Sequence, residues 1–142
     1  MSWTHPAPFV IRHRVSADDL DILNHANNCE YLRWLERAAW AHTESLGLGW
    51  EQYQALGHAV VARRHEIEYL APALEGDDLQ IGTWVEENSG RLDMWRGYQI
   101  VRESDHKTLL TGRTRWVCIA LDSGRPARMP KAFVEGYKVL TQ

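Results

Sequence analysis

The sequence is poor in several things. It has only two cysteines in 142 residues, Cys29 and Cys118, and neither stands in metal-ligand spacing. They read as unpaired thiols in a reducing compartment, with no metal site. No apolar run approaches the ~18 residues of a membrane-spanning helix. The start, MSWTHPAPFVIRHRV, lacks the basic-then-apolar layout of a secretory leader. The protein is therefore expected to be cytoplasmic. Positive charge is not in excess either. The net charge is -3, so nothing draws the whole molecule to nucleic acid. Local basic groups remain at Arg63-Arg64 and at Arg125, Arg128 and Lys131. Repeats, low-complexity segments and linkers are absent, and residues 1–142 are expected to form a single domain.

What is present is a globular composition, 44% hydrophobic and 25% charged. A domain of this size buries roughly two thirds of its unfolded surface. Seven tryptophans is a high count, and several need cover from the fold or from a second subunit.

Pro8 to Ser16 alternates as a strand does. A helix is expected from about Asn28 to Leu46, ended by Gly47 and Gly49. Trp50 to Leu56 makes a minor helix closed by Gly57. Four strands follow: His58–Leu70, Asp77–Glu87, Leu92–Glu103 and Thr108–Leu121, with Lys131–Leu140 as a short terminal helix. Consecutive strands joined by short turns pair antiparallel, and one long helix must then cover a face of the sheet. On that helix Glu30, Arg33, Arg37 and Glu44 form one narrow stripe, while Tyr31, Leu32, Leu35, Ala38, Ala39 and Leu46 occupy the rest. So wide an apolar arc implies a sheet that curls around the helix. If each strand is regular, Trp84, Trp95 and Trp116 fall on the face opposite Val85, Met94 and Val117. Either a second subunit covers that face, or the tryptophans lie across it as cross-strand pairs.

The chemistry gathers where the long helix begins. Asn27 followed by Glu30 reads as a capping box, with Asn27 as the N-cap. The amides of Asn28 and Cys29 are then without helical partners, at the positive end of the macrodipole. Asp19, Asp21 and His25 lie just upstream. A carboxylate beside a fixed amide donor supplies two parts of an acyl-transfer site: a base or nucleophile, and a donor for an oxyanion. Ordinary helix capping would use the same residues.

The stretch DLDILNHANNCEYLRWLERA, Asp19 to Ala38, resembles the D-x-D-x-x-G-H-x-N-N-x-x-Y-x-x-W-x-E-x-A segment of hotdog-fold thioesterases, the 4-hydroxybenzoyl-CoA thioesterase and YbgC-like family. HEIEYLAPALEGDDLQIGTWV and ALDSGRPARMP extend the resemblance over nearly the whole chain. It implies an α+β hotdog fold: a curved antiparallel five-stranded sheet wrapped around one long central helix. It implies hydrolysis of a CoA thioester to a carboxylic acid and free CoA, with no cofactor beyond the CoA of the substrate. It also implies a homodimer with sites at the subunit interface, often paired again into a tetramer. By position in the motif, Asp21 is the catalytic carboxylate and the backbone amide of Asn28 polarises the thioester carbonyl. His25, Asn27 and Tyr31 shape the pocket.

Asn24 stands where the family motif has Gly, and Asn is the best replacement where φ is positive. Leu23 stands where acyl-ACP thioesterases carry an Asn, which weakens that alternative. A non-catalytic acyl-CoA or acyl-carrier binding protein is the other alternative. Glu36, on the shoulder of the apolar arc, is a candidate second carboxylate or a plain ion-pair partner. Among Arg63, Arg64 and His65, alternation puts Arg64 on one face and the other two on the opposite one. One of the three is a candidate to meet a CoA phosphate, since Arg suits phosphate, with Arg64 and His65 as the expected substrate-binding pair; solvation or a subunit contact is the plainer reading. Trp34, Trp50 and Tyr53 either line the pocket or pack.

Overall fold

The structure, a computed structural model, describes residues 3–139. Strand β1 (Phe9–Arg14) leads through a single 3-10 turn (Ala17–Asp19) to helix α1 (Asn28–Ser45) and short α2 (Trp50–Leu56). Strands β2 (His58–Tyr69), β3 (Asp78–Asn88), β4 (Asp93–Arg102) and β5 (Thr108–Ala120) follow, then α3 (Lys131–Gly136). Each expected strand is present, with its ends moved by at most two residues. The terminal helix stops at Gly136 instead of continuing, and Leu140 lies outside the described residues. Gly57 closes α2 with φ +71, a left-handed conformation that glycine adopts without strain.

The five strands form one antiparallel sheet in the order β1-β3-β4-β5-β2. β3, β4 and β5 are neighbours in sequence and in space. β2 is not a neighbour of β3, contrary to the rule for consecutive strands, and instead pairs with β5 at the sheet edge. The link between them does not turn back. It is held at the start of α1, where Ala26 N donates to Ala73 O at 2.9 Å and Ala73 N donates to the Tyr31 hydroxyl at 2.8 Å.

Helix α1 packs over β1 and β3. Tyr31, Trp34, Leu35, Ala38 and Ala39 are buried against Leu79, Ile81, Tyr98, Ile100, Leu109 and Leu110. Full burial of a side chain such as Leu35 contributes about 1.5–3 kcal/mol. The small Ala38 and Ala39 let the helix approach the sheet closely. Leu46, placed in the apolar arc by periodicity, is exposed because the helix has ended at Ser45. A second cluster, including Leu48, Tyr53, Met94, Phe133 and Tyr137, closes the far end under α2 and α3. Trp34 and Tyr53 are buried, Trp34 in the cluster under α1 and Tyr53 in this second cluster, and Trp50 is exposed.

The outer face of the sheet carries two of the three tryptophans expected there. Trp84 pairs across the ladder with Gly97, and Trp95 lies under the Arg113 guanidinium, 4.0 Å from the ring centre. Trp116 pairs with Met94 and Ala62 and faces the helix side, because cross-strand register fixes which positions of β5 point inward. The chain's own N-terminal segment covers part of the outer face. Trp3 lies over Gly82, Thr4 N donates to Gln99 Oε1 at 2.9 Å, and His5 stacks on Trp84 at 5.0 Å.

Gly97 is where that face is tightest. A Cβ there would meet the Trp84 indole and the Glu86 carboxylate. Gly97→Ala is expected to destabilise the fold by about 1–3 kcal/mol in denaturant unfolding. A change within about 0.5 kcal/mol, the range of an ordinary surface substitution, would contradict that packing.

Candidate active site

The loop before α1 is a small hairpin closed by a bridge between Leu20 and Ala26. Asp21 N donates to His25 O at 2.8 Å, and Asn24 N donates to Asp21 O at 3.0 Å. Asn24 has φ +59, so the turn that a glycine would make is kept by the side chain best suited to replace it. The half-buried Asp21 carboxylate is tied to its own loop. Its Oδ1 accepts from Leu23 N at 2.8 Å and from His25 N at 3.4 Å. Among the described residues, nothing donates to Oδ2.

Asp19 has a different job. Its Oδ2 accepts from Ser16 N and meets His13 Nε2, both at 3.0 Å, while its carbonyl accepts from Asn27 N at 2.8 Å. Arg37 donates to the other nitrogen of His13 at 3.1 Å, and His13 lies against Trp34. Asp19 thus joins the loop, β1 and α1. Burial pushes its pKa up, but the Ser16 amide and His13 outweigh that and hold it below the usual carboxylate range.

The helix start differs from the expected capping box. Asn27 is the N-cap, but its Oδ1 accepts from Cys29 N at 2.9 Å, not from the amide of Glu30. Glu30 turns to Arg33, 3.6 Å away, instead of reaching back. Cys29's amide is therefore satisfied, which corrects the expectation of two open donors. Among the described residues, only the Asn28 N–H of that pair has no acceptor.

Asp21, His25, Asn28 and Tyr31 line one open cleft of about 330 Å³. Its opposite wall is the end of β2 and the following link: Tyr69, Leu70, Ala71 and Pro72. Sequence reasoning did not single these residues out. The only signal was their place in the segment HEIEYLAPALEGDDLQIGTWV that extends the family resemblance, and nothing in local periodicity shows that this segment returns to the helix. Tyr31's hydroxyl is spent on Ala73 N, so Tyr31 shapes the floor of the cleft. The Tyr69 hydroxyl donates to Asn28 O at 3.4 Å, bringing the two walls together.

Glu36 and His65 belong to a neighbouring cavity of about 150 Å³, with Leu32, Leu35, Ala62, Tyr98 and Trp116. His65 Nδ1 bonds the Thr114 hydroxyl at 2.7 Å. Arg64 joins neither cavity. It sits on the other face, 3.1 Å from Glu66, with its side chain 68% exposed. Arg63 is the extra residue of a bulge between Ala62 and Arg64. Among the described residues no cluster of three or more His, Cys, Asp or Glu has metal-ligand geometry, and no helix is long and apolar enough to cross a membrane.

A family profile described as the thioesterase-like superfamily matches residues 15–136. The chain belongs to the thioesterase-like superfamily. Solved structures agree on the architecture. A 1,4-dihydroxy-2-naphthoyl-CoA thioesterase of Synechocystis superposes with TM-score 0.81 at 22% identity, over 92% of this chain and 96% of that one. The YbaW probable thioesterase of Escherichia coli gives 0.80 at 24%, over 90% and 95%. A hypothetical protein of Staphylococcus aureus, solved in complex with CoA, gives 0.86 at 16%, over 100% and 91%. No curated protein sequence matches significantly. The fold of this superfamily member is the hotdog fold, a five-stranded sheet with one long helix packed against it.

The depressed pKa of Asp19 makes a prediction about pH. A carboxylate held below its unfolded value stabilises the fold fully above that value, and its contribution is lost as pH falls through the folded value. Asp19→Asn is expected to cost about 1.5–3 kcal/mol at neutral pH, the range for hydrogen bonds to a charged group. The gap from wild type should close on acidification. Denaturant curves at neutral and acid pH that show a constant gap would contradict this role.

Proposed function

We propose that the protein is an acyl-CoA thioester hydrolase whose reacting carbonyl sits between Asp21 and the Asn28 amide. One observation carries the reading: the half-buried Asp21 and Asn28, whose helix N-terminal N–H has no acceptor among the described residues, line the same cleft. The amide, at the positive end of the α1 dipole, holds the carbonyl oxygen as it gains negative charge. Removing such a donor typically costs about 2.7–4 kcal/mol of transition-state stabilisation.

Water adds to the carbonyl carbon, and the C–S bond breaks to leave a carboxylic acid and the CoA thiol. Asp21 takes the proton from water and returns it to the leaving sulfur. In the other route Asp21 adds first, giving a mixed anhydride that water opens. His25, exposed at the rim, and Asn27, the helix cap, position these groups, and Tyr31 forms the floor. The likeness to the Synechocystis 1,4-dihydroxy-2-naphthoyl-CoA thioesterase and to the CoA-bound Staphylococcus protein supports a CoA thioester as substrate. No cofactor takes part beyond that CoA. The acyl group follows the groove from the cleft towards Glu36 and His65. The active form is a homodimer. The exposed outer edge of β2, a strand of 12 residues, offers an unpaired ladder for it, and such dimers pair further into tetramers.

The test is a panel of acyl-CoAs assayed for released thiol, with wild type and Asp21→Asn side by side. Asp21→Asn is expected to lower kcat by at least ~10²-fold while its unfolding midpoint and oligomeric state stay the same. Near-normal turnover in Asp21→Asn would overturn the assignment of Asp21. Failure of wild type to release thiol from any acyl-CoA would favour a binding protein. Release from acyl-ACP alone would favour the acyl-ACP branch.

A further inference from the structure

Three cavities lie in turn along α1, and the last is lined by an unusual residue. Successive turns of the helix line them: Asn28 and Tyr31 at the cleft, Leu32, Leu35 and Glu36 in the middle, Ala39, Trp40 and Thr43 at the far end. At a rise of 1.5 Å per residue, Ala39 lies about 16 Å along the axis from Asn28. The last cavity is also lined by Tyr53, Val60, Met94, Arg96 and Trp116, and Trp116 is shared with the middle one. The cavity is half open, and its space of about 20 Å³ is of the order that holds one water-sized group.

Arg96 is 1% exposed, on the inward face of β4. Among the described residues no carboxylate pairs with it. The carboxylate lining the adjoining cavity, Glu36, is exposed and forms no ion pair with it. Arg96 Nη1 donates to His42 Nδ1 at 2.8 Å and to Thr83 Oγ1 at 3.2 Å, and Nη2 donates to Thr43 Oγ1 at 3.5 Å. All three acceptors are neutral. Burial, helped by the charge of Arg96, pushes His42 down to about 4, so the ring accepts as a neutral base. Among the described residues, the buried Nε–H of Arg96 has no partner. The Trp116 indole N–H likewise makes no aligned hydrogen bond, with the Tyr98 hydroxyl as its polar neighbour.

A guanidinium does not shed its proton, so burial leaves a cation without a counter-charge, which is strongly unfavourable unless something negative arrives. Its unpartnered Nε–H is itself buried, in a residue that lines the last cavity along α1. We propose that this cavity recognises a carboxylate, and that the preferred acyl group carries one at the end remote from the thioester. The substrate class is an ω-carboxyacyl thioester, with Arg96 as the residue that selects it. This inference rests on the thioesterase reading and adds to it the identity of the acyl group's far end.

The experiment compares acyl-CoAs of matched length that end in a methyl or in a carboxylate, over a ladder of lengths. Two readouts are taken: kcat/KM for thiol release by wild type, and affinity for the Asp21→Asn protein by calorimetry. At the length that spans the groove, wild type is expected to prefer the carboxylate-ended partner roughly tenfold or more in kcat/KM, because the matching site leaves its donor unpaired with a methyl. The affinities are expected to follow. Arg96→Met should remove or reverse the preference while methyl-ended substrates are still cleaved, and Arg96→Lys should keep part of it. Should Arg96→Met not fold, Val60→Phe, which fills the cavity from its half-buried edge and keeps the cation, should remove the preference too. Equal handling of the two ends by wild type at every length overturns the proposal, as does a preference that survives both Arg96→Met and Val60→Phe. If no acyl-CoA is hydrolysed, the thioesterase reading fails, and the calorimetric comparison still decides whether the cavity selects a carboxylate.

Discussion

A helix begins with amides that its own backbone cannot satisfy, and this protein leaves one of them, on a residue that lines a cleft, without an acceptor among the described residues. The choice is made by Asn27. Its side chain takes the Cys29 amide, Glu30 takes Arg33, and the Asn28 N–H is the donor left over. The remaining arrangement serves that donor. The Asp21 loop folds back through Asn24 in a left-handed turn, and Asp19 ties it to β1. A fixed donor of this kind needs no reorganisation when charge develops beside it.

The sheet topology supplies the second wall. Had β2 turned directly into β3, no chain would pass beneath the start of α1. The link instead passes Pro72 and docks Ala73 on the Tyr31 hydroxyl and the Ala26 amide. The same topology seats α1 over β1 and β3 and leaves two cavities between α1 and the β5–β2 side of the sheet. The walls of these cavities are largely apolar. The exception is Arg96 at the far end, where a core that otherwise follows the hydrophobic pattern admits a charge. Such exceptions are where function is sought, because an uncompensated buried charge works against stability.

Much of this was legible in the sequence. The element order, the end of α2 at Gly57, and the meeting of Asp21, His25, Asn28 and Tyr31 follow from local pattern and from the resemblance of Asp19–Ala38 to a thioesterase segment. Asn24 in place of glycine also behaved as backbone chemistry requires. Other features escaped because they depend on contacts between distant segments. The position of β2 at the sheet edge is set by the docking of Ala73, and the inward face of Trp116 by its register with Met94. The burial of Arg96 has no local signal, since WRGYQI reads equally well with the arginine on either face. Arg64 illustrates the converse: next to His65 in sequence, it is carried by strand alternation to the opposite side of the sheet.

The account stands on a single convergence, a thioester carbonyl held by the Asn28 N–H within reach of Asp21. The most direct measurement is infrared difference spectroscopy of an isotope-labelled thioester carbonyl bound to the Asp21→Asn protein, where the substrate persists. A donor hydrogen-bonded to that oxygen should shift the carbonyl stretch to lower frequency than the same thioester shows in an apolar solvent. A carbonyl that binds in the cleft with its stretch unshifted would contradict the account.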